Sequence, residues 1–127
     1  MTPTLLVIED NEQNLYLLRY LLEKSGFSVV AAPDGQRGID LASRVRPDLI
    51  LLDIQLPVMD GYAVAAAIRR DPALSSTPII AVTSYAMPGD RDKCLEAGAT
   101  DYMEKPIDPA ALVQMVRRHL GMAAPSE

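Results

Sequence analysis

The sequence has 127 residues, of which 49% are hydrophobic and 23% are charged, a composition that supports one folded domain and excludes a disordered chain. Twelve Lys and Arg residues against seventeen Asp and Glu residues give a net charge of −5, which argues against binding by bulk attraction to nucleic acid or to an anionic membrane. The single cysteine, Cys94, excludes an internal disulfide and cannot by itself form a zinc site. No apolar run approaches the roughly 20 residues that span a bilayer, and Glu9 and Asp10 come too early for a signal peptide. We therefore expect a cytoplasmic protein with one domain.

Short apolar runs alternate along the chain with segments of helical periodicity. Nearly continuous apolar runs are typical of strands that are buried on both faces of a parallel sheet. Between these runs, apolar residues recur three and four positions apart, which predicts amphipathic helices. The pattern predicts an α/β fold of the (βα)5 type with right-handed crossovers. The five predicted strands are Thr4–Ile8, Phe27–Ala31, Leu49–Leu52, Pro78–Val82 and Asp101–Met103.

Glycine and proline residues mark the predicted helix boundaries. Gly26, Gly98 and Gly121 lie where helices are expected to end in a left-handed cap. Pro88 and Pro109 lie where helices are expected to begin.

The candidate functional residues follow the strands. Ligands of open α/β sheets bind outside the carboxyl ends of the strands, so these positions indicate the site. The first strand is followed by Glu9 and Asp10, the third by Asp53, the fourth by Thr83, and the fifth runs into Lys105. The second strand ends in alanines and carries no chemical group.

If the first and third strands are neighbours, three carboxylates converge on one small site. Two like charges about 4 Å apart repel by roughly 4 kcal/mol at an effective dielectric constant of about 20, so protons or a cation must neutralise the cluster. Oxygen ligands with room for water favour Mg²⁺ over zinc or copper. Lys105 adds a positive charge and Thr83 a hydroxyl donor, and together these groups form a receptacle for a phosphoryl group.

In order and spacing, these residues resemble the receiver domain of two-component response regulators, and the resemblance covers Thr4 to Leu120. It implies a flavodoxin-like three-layer sandwich with strand order 2-1-3-4-5. It also implies a receiver domain at residues 1–121 followed by a flexible tail at residues 122–127. The motifs that carry the resemblance are Glu9-Asp10, Leu51–Gly61, Val82-Thr83-Ser84, Ala97-Gly98-Ala99 and Tyr102–Pro106.

The resemblance assigns a role to each residue of the acidic site. Asp53 would be the nucleophile that accepts a phosphoryl group from a phosphohistidine. Asp10, Asp53 and the backbone carbonyl of Gln55 would bind Mg²⁺, and Glu9 would reach the metal directly or through water. Mg²⁺ and Lys105 would favour the ionised form of Asp53.

The resemblance also implies a conformational switch and a set of partners. The Thr83 hydroxyl would move to the new phosphoryl oxygen and the Tyr102 ring would turn inward. The surface of the fourth helix, fifth strand and fifth helix would then signal to an effector protein. A histidine kinase or histidine phosphotransfer protein would be the donor, and the protein would be a monomer or a weak, phosphorylation-dependent dimer. The Lys105–Pro106 peptide bond is expected to be cis.

Several residues depart from the pattern or have an ordinary structural explanation. Glu9 stands where the family often has aspartate, and Gln55 and Tyr85 are expected to border the phosphoryl group and to tune its hydrolysis by water. Cys94 is expected to be a buried helix residue, and His119 a structural or solvated residue at a helix end.

Two other functions share the predicted fold. A phosphatase that forms an aspartyl phosphate needs a second acid two residues after the nucleophile, where this chain has Gln55. A flavodoxin-like FMN carrier needs a Ser-, Thr- or Gly-rich loop after the first strand, where this chain has residues 11–14, Asn-Glu-Gln-Asn. We therefore expect a stand-alone receiver, which is not an enzyme beyond its own phosphorylation and dephosphorylation. The start Glu9-Asp10-Asn11 is similar to that of the cell-cycle subgroup rather than the chemotaxis subgroup.

Overall fold

The computed structural model describes residues 2–84 and 87–122, which form five strands and five α-helices. Each of the first four helices connects one strand to the next, and the fifth follows the last strand. The elements in chain order are β1 (Thr4–Ile8), α1 (Glu12–Lys24), β2 (Ser28–Ala32), α2 (Gly35–Val45), β3 (Leu49–Asp53), α3 (Gly61–Arg69), a 3-10 turn (Pro72–Leu74), β4 (Ile79–Thr83), α4 (Asp90–Ala97), β5 (Asp101–Glu104) and α5 (Pro109–His119).

The strands form one parallel sheet in the order β2-β1-β3-β4-β5, which confirms the predicted flavodoxin-like topology. The register pairs Ile8 with Leu52 and Asp53 with Val82. Because β1 and β3 are neighbours, the residues that follow Ile8 meet the end of β3 at the same edge of the sheet. The strand order thus brings the predicted acidic residues together.

Alternate residues of the central strands supply two apolar clusters, one on each face of the sheet. On one face, Leu6 and Ile8 pack with residues of α2, α3 and α4. On the other face, Leu5 and Val7 pack with residues of α1 and α5. All five residues of β3 and of β4 are buried, which explains why the first four residues of each strand are continuously apolar rather than alternating.

Side-chain caps begin most of the helices. Asn11, Asp34, Asp60 and Asp108 each accept a hydrogen bond from a backbone N–H in the first turn of α1, α2, α3 and α5, respectively. Pro109 is the first residue of α5, as predicted.

The start of α4 differs from the prediction based on Pro88. The helix begins at Asp90, because Gly89 has a left-handed backbone with φ 89° and so cannot be a helical residue. The Asp90 side chain instead accepts a hydrogen bond from the backbone N–H of Met87.

At the C-terminus, Met122 packs against the apolar cluster beneath α1 and α5. Residues 123–127, which make up most of the expected flexible tail, lie outside the described residues. Within residues 2–84 and 87–122, no helix has the length and apolar character needed to cross a membrane.

Candidate functional site

The three carboxylates at the ends of β1 and β3 lie close together. Ligand oxygens of Glu9, Asp10 and Asp53 are all within 4.8 Å of one another. Glu9 is 2% exposed and Asp53 is 5% exposed, whereas Asp10 is exposed to solvent. The cluster therefore has an open side, formed by Asp10, and a buried side.

Lys105 reaches the buried side of this cluster from the loop after β5. Its Nζ lies 3.0 Å from Glu9 Oε1 and 3.3 Å from Asp53 Oδ2. The backbone N–H of Lys105 donates to the carbonyl of Thr83, and the Lys105–Pro106 peptide bond is cis. Burial opposes the charge of Lys105, but the two carboxylates outweigh burial and raise its pKa. Lys105 is therefore a permanent cation in the site.

The electrostatics of the cluster favour the uptake of a divalent cation. Burial, reinforced by the neighbouring Asp53, raises the pKa of Glu9 from 4.5 to about 7, although Lys105 acts in the opposite direction. Three ionised carboxylates and one ammonium group would leave two net negative charges. All of the side-chain atoms that could bind a metal are carboxylate oxygens, and one of the three carboxylates is open to water. These ligands fit Mg²⁺.

Both oxygens of Asp53 already have partners. Oδ1 accepts a hydrogen bond of 2.9 Å from the backbone N–H of Gln55, and Oδ2 contacts Lys105. These contacts fix the orientation of the carboxylate at the end of β3. They hold it beside the other acidic residues rather than letting it turn away into solvent.

The side chain of Gln55 joins the loop after β3 to the end of β4. Its Nε2 donates to Thr83 Oγ1 at 2.5 Å, and its Oε1 accepts a hydrogen bond of 2.8 Å from the backbone N–H of Ser84. Thr83 is 2% exposed. These two contacts could not be predicted from the sequence.

The remaining residues discussed in the sequence analysis are not part of the acidic cluster. Tyr102 is paired with Ala81 in the sheet, is partly buried and packs against the apolar cluster beneath α2, α3 and α4. Cys94 is buried in that cluster, as predicted. His119 Nε2 lies 2.7 Å from Asp101 Oδ2, which is a structural contact between α5 and β5. Tyr85 lies outside the described residues.

An apolar groove that the sequence analysis missed runs from the acidic cluster along α1. Its volume is about 780 Å³, and Glu9 and Lys105 of the acidic site are among its polar lining residues. The sequence does contain an indication of this groove, because α1 carries apolar residues beyond the single stripe that faces the sheet. Tyr16, Leu17 and Tyr20 are 57–69% exposed on this helix. Apolar residues from α1 and the loop after β5 line the groove, among them Leu17, Leu18, Leu21, Pro106 and Ile107.

Comparison with known proteins agrees with this geometry. The sequence matches the response regulator receiver domain family over residues 5–117. It is 39% identical to the polar-differentiation response regulator DivK of Brucella ovis, over 97% of this chain and 100% of that protein.

Among solved structures, the fold is similar to the receiver domain of the sensor histidine kinase PA1611 of Pseudomonas aeruginosa, which has a magnesium ion coordinated in its active site cleft. That match has a TM-score of 0.89 and 38% identity, and it covers 95% of this chain and 99% of that chain. The chemotaxis protein CheY4 of Vibrio cholerae also has a TM-score of 0.89, with 27% identity and coverage of 93% and 98%.

The chain therefore belongs to the response regulator receiver domain family of two-component systems. It is a signalling protein of the phosphorelay type, and its curated relatives include DivK regulators. Receiver domains of this family interact with histidine kinases or phosphotransfer proteins and with effectors. This membership favours the receiver over the phosphatase and the FMN carrier.

Proposed function

We propose that Asp53 is the phosphoryl acceptor of this protein and that Mg²⁺ is its cofactor. The observation that carries the proposal is the convergence of Glu9, Asp10 and Asp53 around the cation Lys105. Asp10, Asp53 and the backbone carbonyl of Gln55 would hold the metal, with Glu9 binding directly or through water. When bound, Mg²⁺ supplies positive charge that offsets the negative charge of the phosphoryl oxygens.

The protein residues account for the transfer step. A carboxylate oxygen of Asp53 attacks phosphorus, an O–P bond forms, and the N–P bond to the donor histidine breaks with its electron pair on the histidine nitrogen. Lys105 Nζ lies 3.3 Å from Asp53 Oδ2, so its positive charge faces the attacking carboxylate and would remain beside the acyl phosphate afterwards. Water later attacks the acyl phosphate, inorganic phosphate is released and the carboxylate is regenerated. The protein thus catalyses only its own phosphorylation and dephosphorylation, and the expected cytoplasmic location belongs to the same proposal.

We propose that the apolar groove along α1 receives the protein that carries the phosphohistidine. Glu9 and Lys105 of the acidic site line the groove together with residues of α1, so a partner seated on it would bring its histidine close to the acceptor. Leu17 and Tyr20 line the groove, are exposed and offer apolar area to such a partner. The expected donor is a histidine kinase or a histidine phosphotransfer protein.

The response is proposed to pass through Thr83 and Tyr102 to the surface of α4, β5 and α5, where an effector protein binds. Thr83 is the last residue of β4, and Tyr102 lies on the adjacent strand β5. We propose that residues 1–121 form a receiver domain of this kind, which acts as a monomer or a weak, phosphorylation-dependent dimer.

Phosphorylation by a small donor tests the acceptor. Acetyl phosphate with Mg²⁺ should add one phosphoryl group to the wild-type protein, as seen by intact-protein mass spectrometry, and excess EDTA should prevent the addition. Asp53→Asn should abolish it. Asp60→Asn, in the loop that follows Asp53, is the matched control, because asparagine is an equally good helix cap. An Asp53→Asn protein that is labelled as well as wild type would remove Asp53 from the proposed role.

A comparison of donors tests the groove. Leu17→Ser should slow phosphotransfer from purified histidine phosphotransfer proteins of the source organism and leave labelling by acetyl phosphate unchanged. Val45→Ser, at a partly exposed residue of α2, is the control. Equal rates for both variants with a protein donor would contradict docking on α1.

A further inference from the structure

The side chain of Gln55 makes a bridge that the proposed transfer step does not require. It donates to Thr83 Oγ1 at 2.5 Å and accepts from the backbone N–H of Ser84 at 2.8 Å. These two contacts connect residues that are 28 and 29 positions apart in the sequence. The end of β4 is therefore tied to the loop that directly follows the acceptor Asp53.

The bridge occupies the hydroxyl that the proposed response has to move. Under that proposal, Thr83 Oγ1 leaves its resting partners and donates to a phosphoryl oxygen on Asp53. The Gln55 amide must then give up its bond to Thr83. Ser84 also lines the groove along α1, so the same amide holds a residue of the groove wall.

We infer that Gln55 is a positioning residue that holds Thr83 and Ser84 in their unphosphorylated arrangement and so sets how readily the domain responds to phosphorylation. This inference rests on the proposed function. It assigns Gln55 a restraint on the switch that is separate from its expected effect on hydrolysis by water and from its backbone carbonyl as a metal ligand.

The side-chain chemistry explains why glutamine suits this role. Its amide offers a donor to Thr83 and an acceptor to Ser84 from one planar group. Glutamate lacks the donor and would add a charge beside a cluster that is already acidic. Methionine has a similar length and neither a strong donor nor a strong acceptor, so Gln55→Met removes the bridge while the backbone carbonyl of residue 55 remains.

The first test uses the unphosphorylated protein without metal. In Gln55→Met, amide hydrogen exchange at Ser84 should become faster by about two- to tenfold, which corresponds to the loss of one hydrogen bond. Gln36→Met on α2, which breaks an exposed contact to Asp40, is the matched control and should leave the exchange at Ser84 unchanged. Unchanged exchange in Gln55→Met would overturn the bridge itself, whatever the function.

The second test measures the response with beryllofluoride, a stable mimic of an aspartyl phosphoryl group, in the presence of Mg²⁺. Gln55→Met should bind the mimic about two- to tenfold more tightly than wild type, because the resting bond no longer opposes the movement of Thr83. In a Thr83→Val background the same substitution should tighten binding clearly less, since the hydroxyl that it restrains is absent and only the bond to Ser84 is lost.

The outcomes separate this inference from the proposed function. Suppose that wild type and Gln36→Met bind beryllofluoride. If Gln55→Met then binds it no more tightly than wild type, or if Gln55→Met weakens binding both with Thr83 and with Thr83→Val, the proposed restraint is wrong. The acceptor site is not affected by that result. If the wild-type protein takes up neither beryllofluoride nor a phosphoryl group, the proposed function fails, and the restraint on a phosphorylation response fails with it.

Discussion

The replacement of Glu9 by glutamine should change how the stability of the metal-free protein depends on pH. The pKa of the buried Glu9 is raised from 4.5 to about 7, so the folded protein binds a proton more tightly than the unfolded chain. The free energy of unfolding should therefore fall as pH rises through this interval and become flat above it. Each unit of pKa difference changes the free energy of unfolding by about 1.4 kcal/mol, so the difference between 4.5 and about 7 amounts to about 3 kcal/mol.

Urea unfolding in EDTA between pH 4 and pH 8.5 measures this effect directly. Wild type should lose about 3 kcal/mol across the interval, whereas Glu9→Gln should retain most of that stability, because a neutral amide does not repel Asp53. Glu12→Gln, at an exposed residue of α1, should follow wild type. Mg²⁺ at about 100 times its dissociation constant should restore about 2.7 kcal/mol to wild type at high pH. Parallel pH profiles for wild type and Glu9→Gln would refute the electrostatic reasoning.

Three further substitutions test the scaffold around the site, each by urea unfolding. Gly61→Ala should lose about 1–3 kcal/mol and weaken Mg²⁺ binding in a calorimetric titration, because a Cβ at Gly61 would lie 2.5 Å from the Cα of Ile54 and 2.7 Å from the carbonyl oxygen of Asp53. Arg69→Met should lose about 2–4 kcal/mol, because Arg69 donates hydrogen bonds to four backbone carbonyl oxygens between α3 and β5. Val58→Gly should gain about 1 kcal/mol, since Val58 is a fully exposed β-branched residue with φ 68°. No change in any of the three would show that the local explanation for that position is wrong.

Periodicity in the sequence was sufficient to predict the layers of the fold but not the order of the strands. Continuous apolar runs predict strands buried on both faces, and β3 and β4 have that environment. The apolar runs stop before Asp53 and Thr83, yet both residues remain in the ladder, where Asp53 pairs with Val82 and Thr83 with Glu104. The pattern carries no information about which strands are neighbours. The predicted order came from the resemblance to a family.

The convergence of the acidic residues could be predicted because it depends on topology alone. Once β1 and β3 are neighbours, Glu9 and Asp53 must meet at one edge of the sheet. The bridge from Gln55 to Thr83 could not be predicted in this way, because it requires two loops distant in sequence and one side-chain rotamer to coincide. The left-handed backbone of Val58 could not be predicted either, since such positions usually hold glycine or asparagine.

The chemical identity of the labelled side chain tests the central proposal most directly. Borohydride reduction of the protein after treatment with acetyl phosphate and Mg²⁺ converts an aspartyl phosphate into homoserine, which peptide mass spectrometry can locate. We expect homoserine at Asp53 alone, in a yield that falls when EDTA replaces Mg²⁺. Homoserine at Asp10 with an unmodified Asp53, or the same yield at Asp53 without a divalent cation, would contradict an acceptor made reactive by a metal-bound acidic cluster.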